Sequence, residues 1–132
     1  MNASSARRRF EDLERALERL DEALAVPADA PLAVDGTIQR FEFAFELCWK
    51  AIKALLQLEN PAGDFATPRA TIRAAYGAGW IKNEAAWLDL LDMRNATSHT
   101  YREALAQEVY GRIRVRAPML KRAAAELRER LP

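Results

Sequence analysis

The sequence predicts an all-α fold: an antiparallel four-helix bundle with one additional short helix, built as a single domain over residues 1–132. Three observations carry this. Apolar residues recur at spacings of three and four, and no stretch alternates with the period of two that a half-buried strand requires. Five glycines and six prolines are all the chain holds, and most fall between periodic segments, where they act as breaks. Half the residues are hydrophobic and 30% are charged, a balance that supports a core at this length without disulfides or a structural metal.

The first helix is expected over about Ser5 to Ala25, with Phe10, Leu13, Leu17, Leu20 and Leu24 on one face. Pro27 and Pro31 end it, and Asp35-Gly36 is the expected cap of a second helix carrying Ile38, Phe41, Phe45, Trp49, Ile52 and Leu55 or Leu56. Phe43, Leu47, Cys48 and Leu58 extend its apolar surface around more than one face, as expected for a central helix that also meets a second subunit. Thr67-Pro68 reads as an N-cap followed by proline at the first helical position, opening a short helix with Ile72 and Tyr76 that ends near Gly77-Ala78-Gly79. Asn83 is the expected cap of the next helix, which carries Trp87, Leu90, Leu91 and Arg94. The last helix carries Leu105, Val109, Ile113, Leu120, Ala124, Leu127 and Leu131, with a kink expected at Pro118.

The single cysteine, Cys48, lies between Leu47 and Trp49 and reads as a buried, inert thiol. One cysteine closes no internal disulfide, no signal peptide opens the chain, and no apolar run approaches the ~20 residues that span a bilayer, so the cytoplasm is the expected compartment. The net charge is +1, but it is unevenly spread: residues 1–93 hold 11 Lys and Arg against 15 Asp and Glu, and residues 94–132 hold 9 against 4. A basic final third suits a nucleic acid or an acidic partner, and equally a solvated helix face.

That basic third opens with Arg94-Asn95-Ala96-Thr97-Ser98-His99-Thr100-Tyr101, which contains the only histidine. Arginine keeps its charge and can fork onto a phosphate, whereas an imidazole can exchange a proton near neutral pH. On an unbroken helix, residues five apart are rotated by about 140°, so Arg94 and His99 can converge only if the helix stops between them. Thr97 and Ser98 suit an exit, and Thr100-Tyr101-Arg102-Glu103 has the form of a capping box for the following helix. Arg94 is then expected in the last turn before a junction, His99 within it, and Tyr101 in the first turn after it with an exposed hydroxyl. The free N–H groups of the new helix would favour an anion there. One histidine without a cysteine or carboxylate cluster falls short of a metal site, and without a Gly-rich phosphate loop no cofactor is expected.

The residues DGTIQRFEFAFELCWKAIKALL (35–56), TPRATIRAAYGAGWI (67–81), WLDLLDMRNATSHTY (87–101) and EVYGRI (108–113) resemble the HEPN superfamily, in particular its HepT-type members, also described as nucleotidyltransferase substrate-binding proteins. The resemblance covers most of the chain and rests chiefly on the R-x-x-x-x-H-x-Y pattern of Arg94, His99 and Tyr101. It implies a homodimeric helical bundle whose two motifs face a shared cleft, encoded beside a small nucleotidyltransferase. It further implies a toxin that cleaves RNA without a metal through Arg94 and His99, with Asn95 as an auxiliary phosphate-binding residue. By the same resemblance, Tyr101 is the tyrosine to which the partner transferase adds AMP, silencing the toxin. Two rival expectations remain at this point: a non-catalytic substrate-binding or regulatory subunit that meets its transferase through the aromatic helix and the basic C-terminal face, and a plain oligomeric scaffold.

Overall fold

Short polar side chains set most of the helix starts in the computed structural model, which describes residues 2–132. Asn2 opens α1 (Ala3–Ala25), its Oδ1 accepting the Ser5 N–H at 2.8 Å. Thr67 caps α3 (Pro68–Gly77) through the Ala70 N–H at 3.1 Å, with Pro68 in the first turn, where a missing donor costs nothing. Asn83 caps α4 (Glu84–Ala96) through the Ala86 N–H at 3.1 Å. Gly79, at φ 78°, supplies the left-handed residue after α3.

The second helix departs from the expected start. α2 runs from Ala33 to Glu59, so Asp35 and Gly36 lie inside its first turn instead of capping it. Leu32 occupies the N-cap with φ 67° and no side-chain cap bond. Burial of Ala33 against the core draws the helix start inward, and the exposed Leu32 absorbs a left-handed backbone that a branched side chain disfavours. Asp35 still contributes, because its charge faces the positive end of the helix dipole.

α2 is the centre of the bundle and touches every other helix, with α1 as its most extensive partner. This explains its multi-sided apolarity: Phe41, Phe45, Cys48, Ile52 and Leu55 are buried, while Phe43 remains half exposed. Phe10, Leu13, Leu17 and Leu20 of α1 meet it as their spacing requires. The last helix, α5 (Glu103–Arg128), packs on α1, α2 and α4 and ends before Leu131, which lies in the following segment, partly buried against the core. It runs through Pro118; both that proline and Arg114, whose carbonyl loses the i+4 donor, are exposed. The short α3 lies against α2 and α4, burying Ile72 and leaving Tyr76 half exposed.

Much of the charge in the basic final third is spent within the fold. Asp89 on α4 accepts from both Arg112 and Arg116 of α5, Lys121 pairs with Asp21, and Arg128 pairs with Glu14. Burial pushes the Asp89 carboxyl upward, but the two guanidinium groups outweigh it and hold it below its usual range. A continuous basic face on α5 therefore does not form; among the described residues, Arg122 near its distal end has no ion pair, and Arg130, beyond the helix, lies 5.1 Å from the Trp80 ring centroid.

Candidate functional site at the α4–α5 junction

α4 ends at Ala96, two residues beyond Arg94, and a single 3-10 turn spans Thr97–His99. Hydroxyl groups stitch this break. Thr97 Oγ1 donates to the Arg94 carbonyl at 2.7 Å, Thr100 Oγ1 donates to the Thr97 carbonyl at 2.8 Å, and the Arg102 N–H donates to the His99 carbonyl at 3.2 Å. Carbonyls that a terminated helix would leave without partners are thereby satisfied, so the chain can leave α4 at low cost.

The same bonds overturn the expected capping box. Thr100 turns back toward Thr97, and the N-cap of α5 is Arg102, in extended conformation and without a side-chain cap bond. Glu103 is the first residue of α5, and Tyr101 lies in the turn before the helix. Tyr101 is 78% exposed, and its ring lies 6.4 Å between centroids from the exposed His99 imidazole, the two planes at 68°. The Arg102 guanidinium lies 5.9 Å from the tyrosine centroid.

Arg94 faces a different neighbour. Its Nη2 donates to Glu46 Oε2 on α2 at 2.8 Å, and its Nη1 donates to Asn95 Oδ1 at 3.3 Å. His99 and Tyr101 are thus side by side, while Arg94 is anchored toward α2 and makes no hydrogen bond to His99. The 3-10 turn also packs on α2, so anchor and imidazole share one supporting helix. Asn95 is exposed; with its oxygen accepting from Arg94, its amide hydrogens stay free to donate.

Glu46 escaped the sequence reading. It stands inside the most aromatic stretch of the chain, and the one visible cue was Lys50 four residues on, which reads as an ordinary surface pair. Lys50 Nζ does lie 3.4 Å from Glu46 Oε1, but the stronger partner is 48 residues away. Burial pushes the Glu46 carboxyl up; the Trp49 indole, Arg94 and Lys50 together overcome it and leave the group below its usual range. The Trp49 Nε1 atom is buried without a partner of good hydrogen-bond geometry, so its influence on Glu46 is a looser polar contact than the Arg94 bond. Cys48, two residues from Glu46, is fully buried and its thiol is pushed up to about 12 by that burial, which removes it as a nucleophile. Among the described residues, no three His, Cys, Asp or Glu side chains gather as a metal-binding cluster, and no helix is long and apolar enough to cross a membrane.

A five-helix bundle with an exposed histidine–tyrosine pair after a broken helix defines a recognisable class. Residues 8–129 match the model of the family described as nucleotidyltransferase substrate binding protein like, and the chain belongs to that family. It is similar to a probable ribonuclease HepT of Haemophilus influenzae, 37% identical over 84 residues, which cover 61% of this chain and 57% of that protein. The match thus spans little more than half of that relative's length. A crystal structure from Thermus thermophilus superposes with a TM-score of 0.74 at 34% identity, covering 90% of this chain and 98% of the other. A Haemophilus influenzae structure, described as revealing the fold of a substrate binding domain of a nucleotidyltransferase, gives 0.74 at 29% identity, covering 92% and 98%.

The depressed Glu46 carboxyl has a direct test. Replacing Arg94 with alanine removes its strongest partner, so the Glu46 titration, followed by carboxyl-carbon NMR, is expected to move upward toward the ordinary glutamate value. The stabilisation from that pair is present above the unfolded value and is lost as pH falls through the folded one. An unchanged Glu46 titration in Arg94→Ala would show that the pair does not form in solution.

Proposed function

We propose that this chain is a HepT-like toxin of a toxin–antitoxin pair: a metal-independent endoribonuclease that uses Arg94 and His99 in a cleft between two copies of the chain. The observation that carries the reading is the stitched junction, which leaves His99 exposed beside Tyr101 and holds Arg94 one turn earlier on α4. The similarity to a probable ribonuclease HepT supports it. In the proposed reaction the ribose 2′-oxygen attacks phosphorus, the bond to the 5′-oxygen breaks, and a 2′,3′-cyclic phosphate forms. One His99 removes the 2′-hydroxyl proton, the second chain's imidazole protonates the departing 5′-oxygen, and Arg94 offsets the charge growing on phosphorus. Asn95 donates to a phosphate oxygen through its free amide hydrogens. The α5 N-terminus, without a side-chain cap, adds backbone donors.

Regulation follows from the exposure of Tyr101. A partner nucleotidyltransferase joins the tyrosine oxygen to the α-phosphorus of ATP and releases pyrophosphate, which sets a phosphodiester and a nucleoside beside His99. The RNA phosphate is then excluded by charge and by bulk. The second reading, a non-catalytic substrate-binding or regulatory subunit of a nucleotidyltransferase, draws on the family description and on Arg94 already being engaged by Glu46 and Asn95.

The two readings part at His99. Replacing it with alanine is expected to lower RNA cleavage by purified protein about 100-fold or more, the usual range for a general acid–base group, with helical circular dichroism unchanged. Cleavage that survives the change would remove the histidine from catalysis, and no cleavage by the unaltered protein would favour the binding subunit. Incubation with an active partner transferase and ATP is expected to add the mass of one AMP to the Tyr101 peptide and none to a Tyr101→Phe chain. An unmodified Tyr101 peptide would overturn the proposed silencing.

A further inference from the structure

Beyond the junction, α2 presents Glu46, Lys50, Lys53 and Gln57 at intervals of four, three and four residues, a single stripe on the helix. Lys50, Lys53 and Gln57 line a cleft of about 220 Å³ with Arg9 of α1, over the side of Trp49. That is room for about seven waters at ~30 Å³ each, enough for a phosphate group with part of its hydration. Among the described residues, no carboxylate lines it. Within the same residues, Arg9 and Lys53 form no ion pair, although Arg112, Arg116, Lys121 and Arg128 elsewhere all do.

The cleft is connected to the junction. Glu46 bonds Arg94 through one oxygen and Lys50 through the other, so one negative charge is shared by two cations, and Lys53 and Arg9 continue the row beyond it. From Glu46 to Gln57 the helix rises about 16 Å, the length of four or five nucleotides at the ~3.4 Å spacing of a stacked strand. We infer that this stripe is a backbone track for single-stranded RNA, with Arg9 and Lys53 holding phosphates of the segment that leads to Arg94. The inference rests on the ribonuclease reading for the direction of the strand. Trp49 is 7% exposed and Lys53 Nζ stands 5.8 Å from its ring centroid, so no base can stack on the indole. The track therefore holds charge without reading sequence.

The test uses the full-length chain carrying His99→Ala, which separates binding from cleavage, and a labelled single-stranded RNA of about ten nucleotides. Adding Arg9→Ala and Lys53→Ala is expected to weaken binding about 10-fold. Over about 50 to 200 mM salt, the slope of log affinity against log salt should fall by about 1.4, two phosphate contacts at ~0.7 each. Arg9→Lys with Lys53→Arg keeps the charges and should restore both quantities. Lys82→Ala with Arg122→Ala, in the cleft at the opposite end of α4, should change neither. Unchanged affinity and slope in the double alanine chain would overturn the track and leave the cleft to an acidic protein partner. Cleavage by the unmodified chain, assayed in parallel, keeps the two ideas apart. A chain that binds through Arg9 and Lys53 but never cuts overturns the nuclease alone, and one that cuts with an unaltered slope overturns the track alone.

Discussion

The Arg94–Glu46 ion pair is the contact on which the arrangement of the junction depends. It crosses from α4 to the central α2 and fixes the last turn of α4 at the point where that helix must end. Both side chains are about one-third exposed, so solvent screening limits its stability contribution to the order of 1 kcal/mol. Its larger consequence is orientation. A guanidinium held by a carboxylate on one side presents its remaining donors in a defined direction, which a free arginine on a helix end would not.

The break after Ala96 supplies the second constraint. Thr97 and Thr100 return hydroxyl hydrogens to carbonyls three residues back, which makes a two-helix corner out of what could have been one long helix. The corner exposes His99 and Tyr101, and the Asp89 bridge to Arg112 and Arg116 holds α4 against α5 behind it. Charge in this molecule is thus largely structural along α5. Among the described residues, Arg9 and Lys53 on the α1–α2 side are cations without an ion pair, and no continuous basic face forms on the last helix.

Sequence periodicity was sufficient for the helices because each buries a stripe that recurs at helical spacing. Phe10, Leu13, Leu17 and Leu20 on α1 are the clearest case. Caps by Thr67 and Asn83 were readable for the same reason: the residue acts on a backbone group three positions away. Two local patterns misled. Asp35-Gly36 had the composition of a cap, but burial of Ala33 starts the helix earlier. Thr100…Glu103 had the spacing of a capping box, but Thr100 spends its hydroxyl on Thr97. Glu46 was out of reach altogether, since its partner is 48 residues distant and no periodicity connects them. The motif residues themselves were visible; what holds Arg94 was not.

Fold, junction and family combine into one account in which Glu46 acts on the proposed RNA cleavage only through Arg94. The most direct measurement is a double-mutant cycle on the cleavage rate of the chain, comparing Glu46→Gln, Arg94→Ala and the pair. The account predicts that Glu46→Gln slows cleavage by the otherwise unaltered chain by about 10- to 100-fold, as loss of orientation does, and adds nothing once Arg94 is alanine. A Glu46→Gln effect of the same size in both backgrounds would contradict it, because the carboxylate would then be acting independently of the arginine.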